Sequence, residues 1–293
     1  MKVGIYGQSN NEITIKYVNY LVELCLKNKV AIVFEENFYQ GYKKVHKNHS
    51  FETFSSYDDL DPDLSFFFTV GGDGTFLRSI TFIRDLNTPV IGINTGRLGF
   101  LATIQKEDIE TTFYQLLENK FVIQNRSLLS VSTEDSRDDF NKLNFALNEI
   151  SITRKNTASM IKVNANLDGE FLNTYWSDGL IISTPTGSTG YSLSCGGPII
   201  SPTSKNIVLT PIAPHSLAVR PLVIPEDTEV MLKIDSRADE VLLTLDSRMY
   251  TLKNNSTIEI RKCSFSIKTV QLYNQSFIKT LREKLLWGED KRN

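Results

Sequence analysis

Apolar and polar positions follow two different rhythms along this chain. Before residue 121, short apolar runs of strand length alternate with stretches of helical spacing. Residues 3–6, 30–34, 66–70 and 89–93 read as buried strands. Residues 13–27 place Tyr17, Val18, Leu21, Leu24 and Cys25 on one helical face. A second helical pattern opens at Thr75 with Phe76, Leu77, Ile80 and Ile83, and residues 107–119 turn Ile109, Phe113, Leu116 and Leu117 inward. Strand–helix alternation predicts an open, mostly parallel sheet that binds ligands at the carboxyl ends of its strands. Residues 37–60 are polar and patternless, which predicts a mobile loop or irregular excursion.

From Phe121 onward the period shortens. β-rich runs are expected at 121–124, 128–132, 145–153, 161–166, 180–183, 208–212, 230–234 and 241–245. Asp168-Gly169 between two alternating runs is a hairpin signal. Seven of the 9 prolines fall between Pro185 and Pro225, which excludes long helices there. Helical spacing returns at 276–287 through Phe277, Leu281, Leu285 and Leu286. The expectation is an α/β domain over residues 1–120, a predominantly β domain over 121–274, and a C-terminal helix over 275–293 that packs back on the first domain.

Composition narrows the classes. At 293 residues the chain can bury two cores. Basic and acidic residues nearly balance, 32 against 34, so no nucleic-acid or membrane surface is expected. No apolar run is long enough to span a bilayer. The segment from Met1 to Gly7 reads as a buried strand rather than a signal peptide. Cys25, Cys195 and Cys263 are far apart and odd in number; they predict small buried residues in a reducing, cytoplasmic compartment.

Three segments carry chemistry. Phe66-Phe67-Phe68-Thr69-Val70-Gly71-Gly72-Asp73-Gly74-Thr75 runs from strand through a glycine loop into a helix. Free N–H groups and the positive end of a helix dipole make such a loop an anion site, and glycines let the backbone approach a phosphate. An acidic residue there makes sense if it accepts a proton or meets a phosphate-bound metal, which points to phosphoryl transfer. The alternative is a plain turn with Asp73 capping the helix.

The second segment, Asp178 through Ser192, runs from a strand into Thr184-Pro185-Thr186-Gly187-Ser188-Thr189-Gly190-Tyr191. Its hydroxyls suit an oxygen-rich ligand such as ribose or pyrophosphate, and Tyr191 can stack on a flat ring. A Ser/Thr-rich turn around a buried tyrosine is the alternative. The third, Asn148-Glu149, interrupts an alternating run. It implies a bulge, a solvated strand end, or an amide and carboxylate that grip a ribose diol.

Taken in order, Gly71-Gly72-Asp73-Gly74-Thr75, Gly92-Ile93-Asn94-Thr95-Gly96-Arg97-Leu98-Gly99-Phe100-Leu101, Asn148-Glu149 and Thr184 to Tyr191 resemble the NAD kinase family. Thr210-Pro211-Ile212-Ala213-Pro214-His215-Ser216 and the residues up to Leu222 resemble its β-domain signature. The likeness covers nearly the whole chain. Its first motif is shared in variant form with diacylglycerol, sphingosine and 6-phosphofructo-kinases; the second and fourth are specific.

The resemblance implies transfer of the terminal phosphate of ATP, or of polyphosphate, to the 2′-hydroxyl of the adenosine ribose of NAD. It implies Asp73 as the proton acceptor and an NAD-binding residue, and a divalent ion such as magnesium carried by the donor; without a Cys/His cluster in the sequence, no protein-held metal is expected. Gly74 would bring backbone against the nucleotide. Asn148 and Glu149 would bind the nicotinamide-side ribose or amide, and Asp178 the nicotinamide end. Thr189, Gly190, Tyr191, Ser192, Leu193 and Ser194 would line the adenosine pocket. Arg78 pairs with a phosphate or is a surface arginine; Ser159 and Arg248 align loosely with ligand contacts. A homodimer or homotetramer is implied as well.

Two departures stand out. Gly190 replaces an alanine common in the family, which predicts a looser turn. Arg248 ends Leu245-Asp246-Ser247-Arg248 where glutamine is usual, which predicts an added charge near a phosphate. His46 and His49 are expected as solvated loop residues, and His215 as a structural hydrogen bonder. The competing functions are a lipid kinase of the diacylglycerol type and a non-catalytic NAD sensor.

Overall fold

A computed structural model describes residues 1–8, 12–47, 49–134, 138–155 and 159–287. The chain divides into two compact units, Met1–Asn125 with Ile267–Asn293, and Arg126–Ser266.

The first unit alternates as its sequence pattern requires: β1 Lys2–Gly7, α1 Glu12–Lys27, β2 Ala31–Glu35, α2 Glu36–Val45, β3 Glu52–Phe54, β4 Phe66–Gly71, α3 Asp73–Ile83, β5 Val90–Asn94, β6 Ile104–Gln105 and α4 Ile109–Leu117. The sheet is parallel in the order β5-β4-β1-β2-β3. β4 and β5 are mostly apolar because helices cover both faces of such a sheet, and Phe67, Phe68, Ile91 and Ile93 are almost wholly buried.

Residues 37–60 are more regular than their polarity predicts. Phe38, Tyr39 and Tyr42 form a narrow buried stripe on α2 and pack against Phe34. Glu35 caps that helix by accepting the Phe38 N–H at 2.8 Å. The stripe is aromatic and only three residues long, so the polar Glu36, Asn37, Gln40, Lys43 and Lys44 around it mask its period. His46 ends α2 stacked on Tyr42, with ring centroids 4.9 Å apart, and His49 is exposed.

The second unit holds most of β7 Phe121–Thr133, then α5 Asp138–Lys142, β8 Phe145–Ala146, β9 Glu149–Arg154, β10 Ile161–Leu167, β11 Glu170–Ser177, β12 Gly179–Ser183, α6 Tyr191–Ser194, β13 Asn206–Ile212, β14 Leu222–Pro225, β15 Val230–Asp235, β16 Glu240–Leu245, β17 Arg248–Lys253 and the first part of β18 Thr257–Leu272. Six strands form an antiparallel sheet in the order β14-β13-β12-β9-β16-β17. Its apolar face shares one core with β10, β15 and the start of β18, through Ile150, Ile152, Leu180, Leu243, Val163, Leu232 and Ile258. The Asp168-Gly169 turn joins β10 to β11, with both residues at positive φ. The expected runs at 121–124 and 128–132 are one strand. The polar Asn125 and Arg126 between them do not interrupt it.

The end of β18 pairs with β5 through Thr269 and Val90, and α7 Phe277–Leu285 follows. Ser276 caps α7 by accepting the Lys279 N–H. The helix packs on the first unit: Phe277 lies against Phe100, Lys284 sits over the Phe100 ring, and Gln275 donates to the Thr103 carbonyl at 3.2 Å. Residues 288–293 of the expected C-terminal segment lie outside the described residues. Among the described residues no helix is long and apolar enough to cross a membrane. None of Cys25, Cys195 and Cys263 is in a disulfide; Cys25 is buried, but Cys195 and Cys263 are only half-buried, so the expectation of three buried thiols holds for one.

Candidate active site

The glycine loop of the first unit is held by its own aspartate. Gly72 is the N-cap of α3 and no side chain caps it, so Asp73 is not the helix cap. Its carboxylate instead reaches the loop beyond β5. The Phe100 N–H donates to Oδ2 at 2.8 Å, while the Leu101 and Ala102 N–H groups donate to Oδ1 at 3.0 and 2.9 Å. The approach is close enough that a Cβ on Gly99 would stand 1.9 Å from Asp73 Oδ1.

The two glycine-rich motifs are therefore one construction. Asn94 shapes the turn between them by accepting the Gly96 N–H at 2.7 Å and donating to the Arg97 carbonyl at 2.6 Å. A Cβ on Gly92 would meet the Ala102 Cα at 2.6 Å, and one on Gly71 would meet Thr75 Oγ1 at 2.3 Å. Gly72 and Gly74 face open space, as an anion-binding backbone requires. The two oxygens of a carboxylate offer about four lone-pair positions, so three amide donors leave Asp73 one for a further partner. Arg78 is exposed one turn further along α3, and Gln8, with its amide oxygen turned toward it, accepts from Nε at 3.0 Å.

A second carboxylate does the same work in the second unit. Asp246, in the turn between β16 and β17 at φ 53, is 2% exposed. It accepts the N–H groups of Leu147, Asn148 and Glu149 at 2.9, 2.7 and 3.3 Å. Burial pushes its carboxyl above the ordinary aspartate value, against the opposing pull of those amides and of Arg248. Arg248 does not add a free charge near a phosphate as its position in the sequence suggested. Its guanidinium donates to the carbonyls of Leu143, at 2.6 Å, and Phe145, lies 5.1 Å above the Phe145 ring, and reaches Asp246 at 3.8 Å. Asp246 and Arg248 together fix residues 143–149.

This clamp presents two acceptors with no hydrogen-bond partner, the buried Asn148 Oδ1 and Glu149 Oε2. Buried polar atoms without partners are costly unless a ligand supplies them, and ribose hydroxyls, which both donate and accept, or an amide do so. Burial first, and the Asp246 charge second, push the Glu149 carboxyl up to about 8; the Tyr191 N–H opposes the shift. The hydroxyl-rich turn packs on the same strand interruption. Thr184 donates from Oγ1 to the Leu147 carbonyl at 2.6 Å and from its N–H to the Asn148 carbonyl at 2.9 Å. Gly190 is where Glu149 fits: a Cβ there would lie 2.9 Å from Oε2. The missing methyl gives room to a carboxylate rather than slack to the turn.

The remaining expected residues divide. Tyr191 is 43% exposed, so its ring is open to stacking and is not the buried tyrosine of the alternative reading. Leu193 is half-buried and Ser194 exposed beside it. The Ser192 hydroxyl is wholly buried on Thr210 Oγ1 at 2.8 Å, and Thr189 Oγ1 donates to the Thr186 carbonyl at 3.2 Å. Asp178 pairs with Arg154 at 3.2 Å. Ser159 is half-buried just before β10. His215 is exposed, and its N–H donates to the Trp176 carbonyl. Sequence reasoning assigned no role to Asp246. The available signal was an Asp-Ser pair between two alternating runs, a turn that tolerates positive φ.

A glycine loop at the end of a parallel strand, with a carboxylate side chain at its helix start, and a β unit with unpartnered buried oxygens mark a nucleotide-dependent phosphotransferase. The chain matches the ATP-NAD kinase N-terminal domain over residues 3–121 and the ATP-NAD kinase C-terminal domain over residues 147–272. It belongs to the NAD kinase family. It is 51% identical to the NAD kinase of Christiangramia forsetii over 297 residues and 48% identical to that of Flavobacterium psychrophilum over 295, covering 100% of both chains in each case. A crystal structure of yeast NADH kinase complexed with NADH superposes with TM-score 0.88 at 25% identity, over 100% of this chain and 89% of that one. An NAD kinase from Archaeoglobus fulgidus in complex with ATP shares the fold, with TM-score 0.75 at 24% identity, over 97% and 99% of the two chains. The lipid-kinase reading finds no support in these relatives.

Proposed function

We propose that this chain phosphorylates the 2′-hydroxyl of the adenosine ribose of NAD, with ATP or polyphosphate as donor, and that Asp73 is the base. The observation that carries the role is the Asp73 carboxylate, fixed by three backbone N–H groups beside an open glycine loop with one acceptor position left. The hydroxyl oxygen attacks the terminal phosphorus, the bond to the bridging oxygen of the donor breaks, and the hydroxyl proton passes to Asp73. With ATP the products are NADP and ADP.

Positioning and charge neutralisation dominate such transfers. The backbone of Gly72 to Gly74 receives the donor phosphate, and Arg78 can pair with it. A divalent ion such as magnesium would arrive on the donor phosphates and neutralise their charge. Among the described residues no group of three or more His, Cys, Asp and Glu is placed to hold one. On the NAD side, Asn148 Oδ1 accepts from ribose hydroxyls or the carboxamide and the Glu149 carboxyl hydrogen-bonds to the same groups, Asp178 meets the nicotinamide end, and the exposed Tyr191 ring stacks on adenine. A homodimer or homotetramer acting in the cytoplasm completes the reading; three cysteines outside any disulfide suit that reducing compartment.

The test is NADP formation from NAD, ATP and magnesium by purified wild type beside Asp73→Asn. NADP from the wild type and little from the variant supports reaction and base. NAD binding without NADP, from ATP or polyphosphate, returns the sensor reading.

A further inference from the structure

The strand order of the first unit contains one reversal. From β1 the chain builds outward through β2 and β3, then returns to the other side of β1 and builds β4 and β5. In open α/β sheets the crevice at the carboxyl ends of the strands flanking such a reversal binds ligands. Here that crevice lies between the end of β1 and the glycine loop after β4.

A cavity of about 330 Å³ opens on the β1–β2 side of this point, lined among others by Tyr6, Gln8, Glu35, Asn37, Arg78 and Phe82. Its volume suits a small ligand. Its walls differ in chemistry. Tyr6 and Phe82, with ring centroids 5.3 Å apart, supply an aromatic side. Arg78 brings a guanidinium from the helix that begins at the glycine loop. Opposite in charge is Glu35 at the end of β2, only 4% exposed. Its Oε1 accepts from Asn37 Nδ2 at 3.0 Å and its Oε2 from the Phe38 N–H at 2.8 Å, which leaves each oxygen a second lone pair.

Capping α2 explains one of those bonds but not a carboxylate beside an arginine in a cavity. A ligand that is only phosphate would be repelled by Glu35. A ligand with phosphates at one end and a vicinal diol at the other satisfies both walls, because a carboxylate at the end of a neighbouring strand is the group that accepts from ribose hydroxyls in this class of sheet.

We propose that this cleft seats the nucleoside of the phosphate donor, with its ribose diol on Glu35, so that the chain uses a nucleoside triphosphate in preference to inorganic polyphosphate. The inference rests on the glycine loop being the phosphate site of the proposed kinase reaction.

The experiment is calorimetric binding of ATP, 2′,3′-dideoxy-ATP and inorganic tripolyphosphate, each with magnesium, to the full-length wild type and Glu35→Gln. Glutamine keeps an acceptor for the Phe38 N–H. The diol contact predicts that the wild type binds ATP about 10-fold more tightly than the dideoxy analogue, a typical effect of a hydrogen bond to a charged group. Glu35→Gln should abolish that difference and bind tripolyphosphate no more weakly than the wild type does. Equal affinity of the wild type for ATP and dideoxy-ATP overturns the proposal even if the variant does not fold. So does a variant that weakens ATP and tripolyphosphate alike. NADP formation by the wild type, followed in parallel, reports on the kinase reading separately.

Discussion

Asp246 accepts the main-chain N–H of Asn148 at 2.7 Å from a position 98 residues further along the chain. The residue that would touch NAD is thus aimed by one that would not. Asp73 plays both parts in the other unit, since the carboxylate proposed as base also ties down the loop from Phe100 to Ala102.

That double duty shapes the expected behaviour of Asp73→Asn. An amide keeps one acceptor oxygen and turns N–H donors toward other donors, so the loop loses part of its hold. Turnover should fall by roughly 10²–10⁴-fold, as removal of a general base does, with NAD affinity changed only a few-fold. The melting temperature should fall too, since an unsatisfied buried donor costs about 1–3 kcal/mol. Steady-state kinetics and thermal melting check both; near-normal turnover removes Asp73 from the chemistry.

Arg248 should matter to NAD affinity without touching NAD. Its guanidinium fixes the carbonyls of Leu143 and Phe145, immediately before Asn148 and Glu149. Arg248→Ala is expected to cost roughly 1–3 kcal/mol of stability and to raise KM for NAD several-fold while kcat changes little. An unchanged KM with lowered stability would make the arginine purely structural.

Gly187 and Gly190 lie three residues apart but should respond differently to alanine. A Cβ on Gly187 would meet the Asn148 backbone oxygen at 2.0 Å, whereas one on Gly190 meets the end of the Glu149 side chain at 2.9 Å. Backbone cannot yield cheaply and a side-chain tip can. Gly187→Ala should be destabilised by more than about 2 kcal/mol; Gly190→Ala should fold with a small shift in melting and a change in NAD affinity as Glu149 moves. Chemical denaturation of the two variants decides the order.

Glu149 predicts a pH dependence with a definite sign. Its carboxyl is raised to about 8 in the folded chain, against about 4.3 when unfolded. Between those values the native state holds a proton that the unfolded chain has released. Stability is therefore complete below the lower value, declines as pH rises through the window, and levels off above the upper one. Wild type should lose more melting temperature between about pH 5 and pH 8 than Glu149→Gln, which cannot ionise there. Parallel melting curves for the two proteins at both pH values would remove Glu149 as the cause.

What the sequence determined by itself was everything local. Period and composition set the α/β and β units, because strand and helix alternation is written in neighbouring residues. Glycines around Asp73 marked the anion loop for the same reason, and Asn148-Glu149 announced itself as a polar break in an apolar alternation.

Where polarity hid the period, as on α2, the reading failed, and the seat of Glu35 went unseen with it. Only the tertiary structure decided what each polar side chain faces. It turned Asp73 from a helix cap into the anchor of a loop 27 to 29 residues away, and gave Asp246 a function. It also sent Arg248 to the carbonyls of Leu143 and Phe145. A hydrogen bond depends on where two groups meet in space, and no spacing along the chain encodes a contact closed by the packing of strands between them.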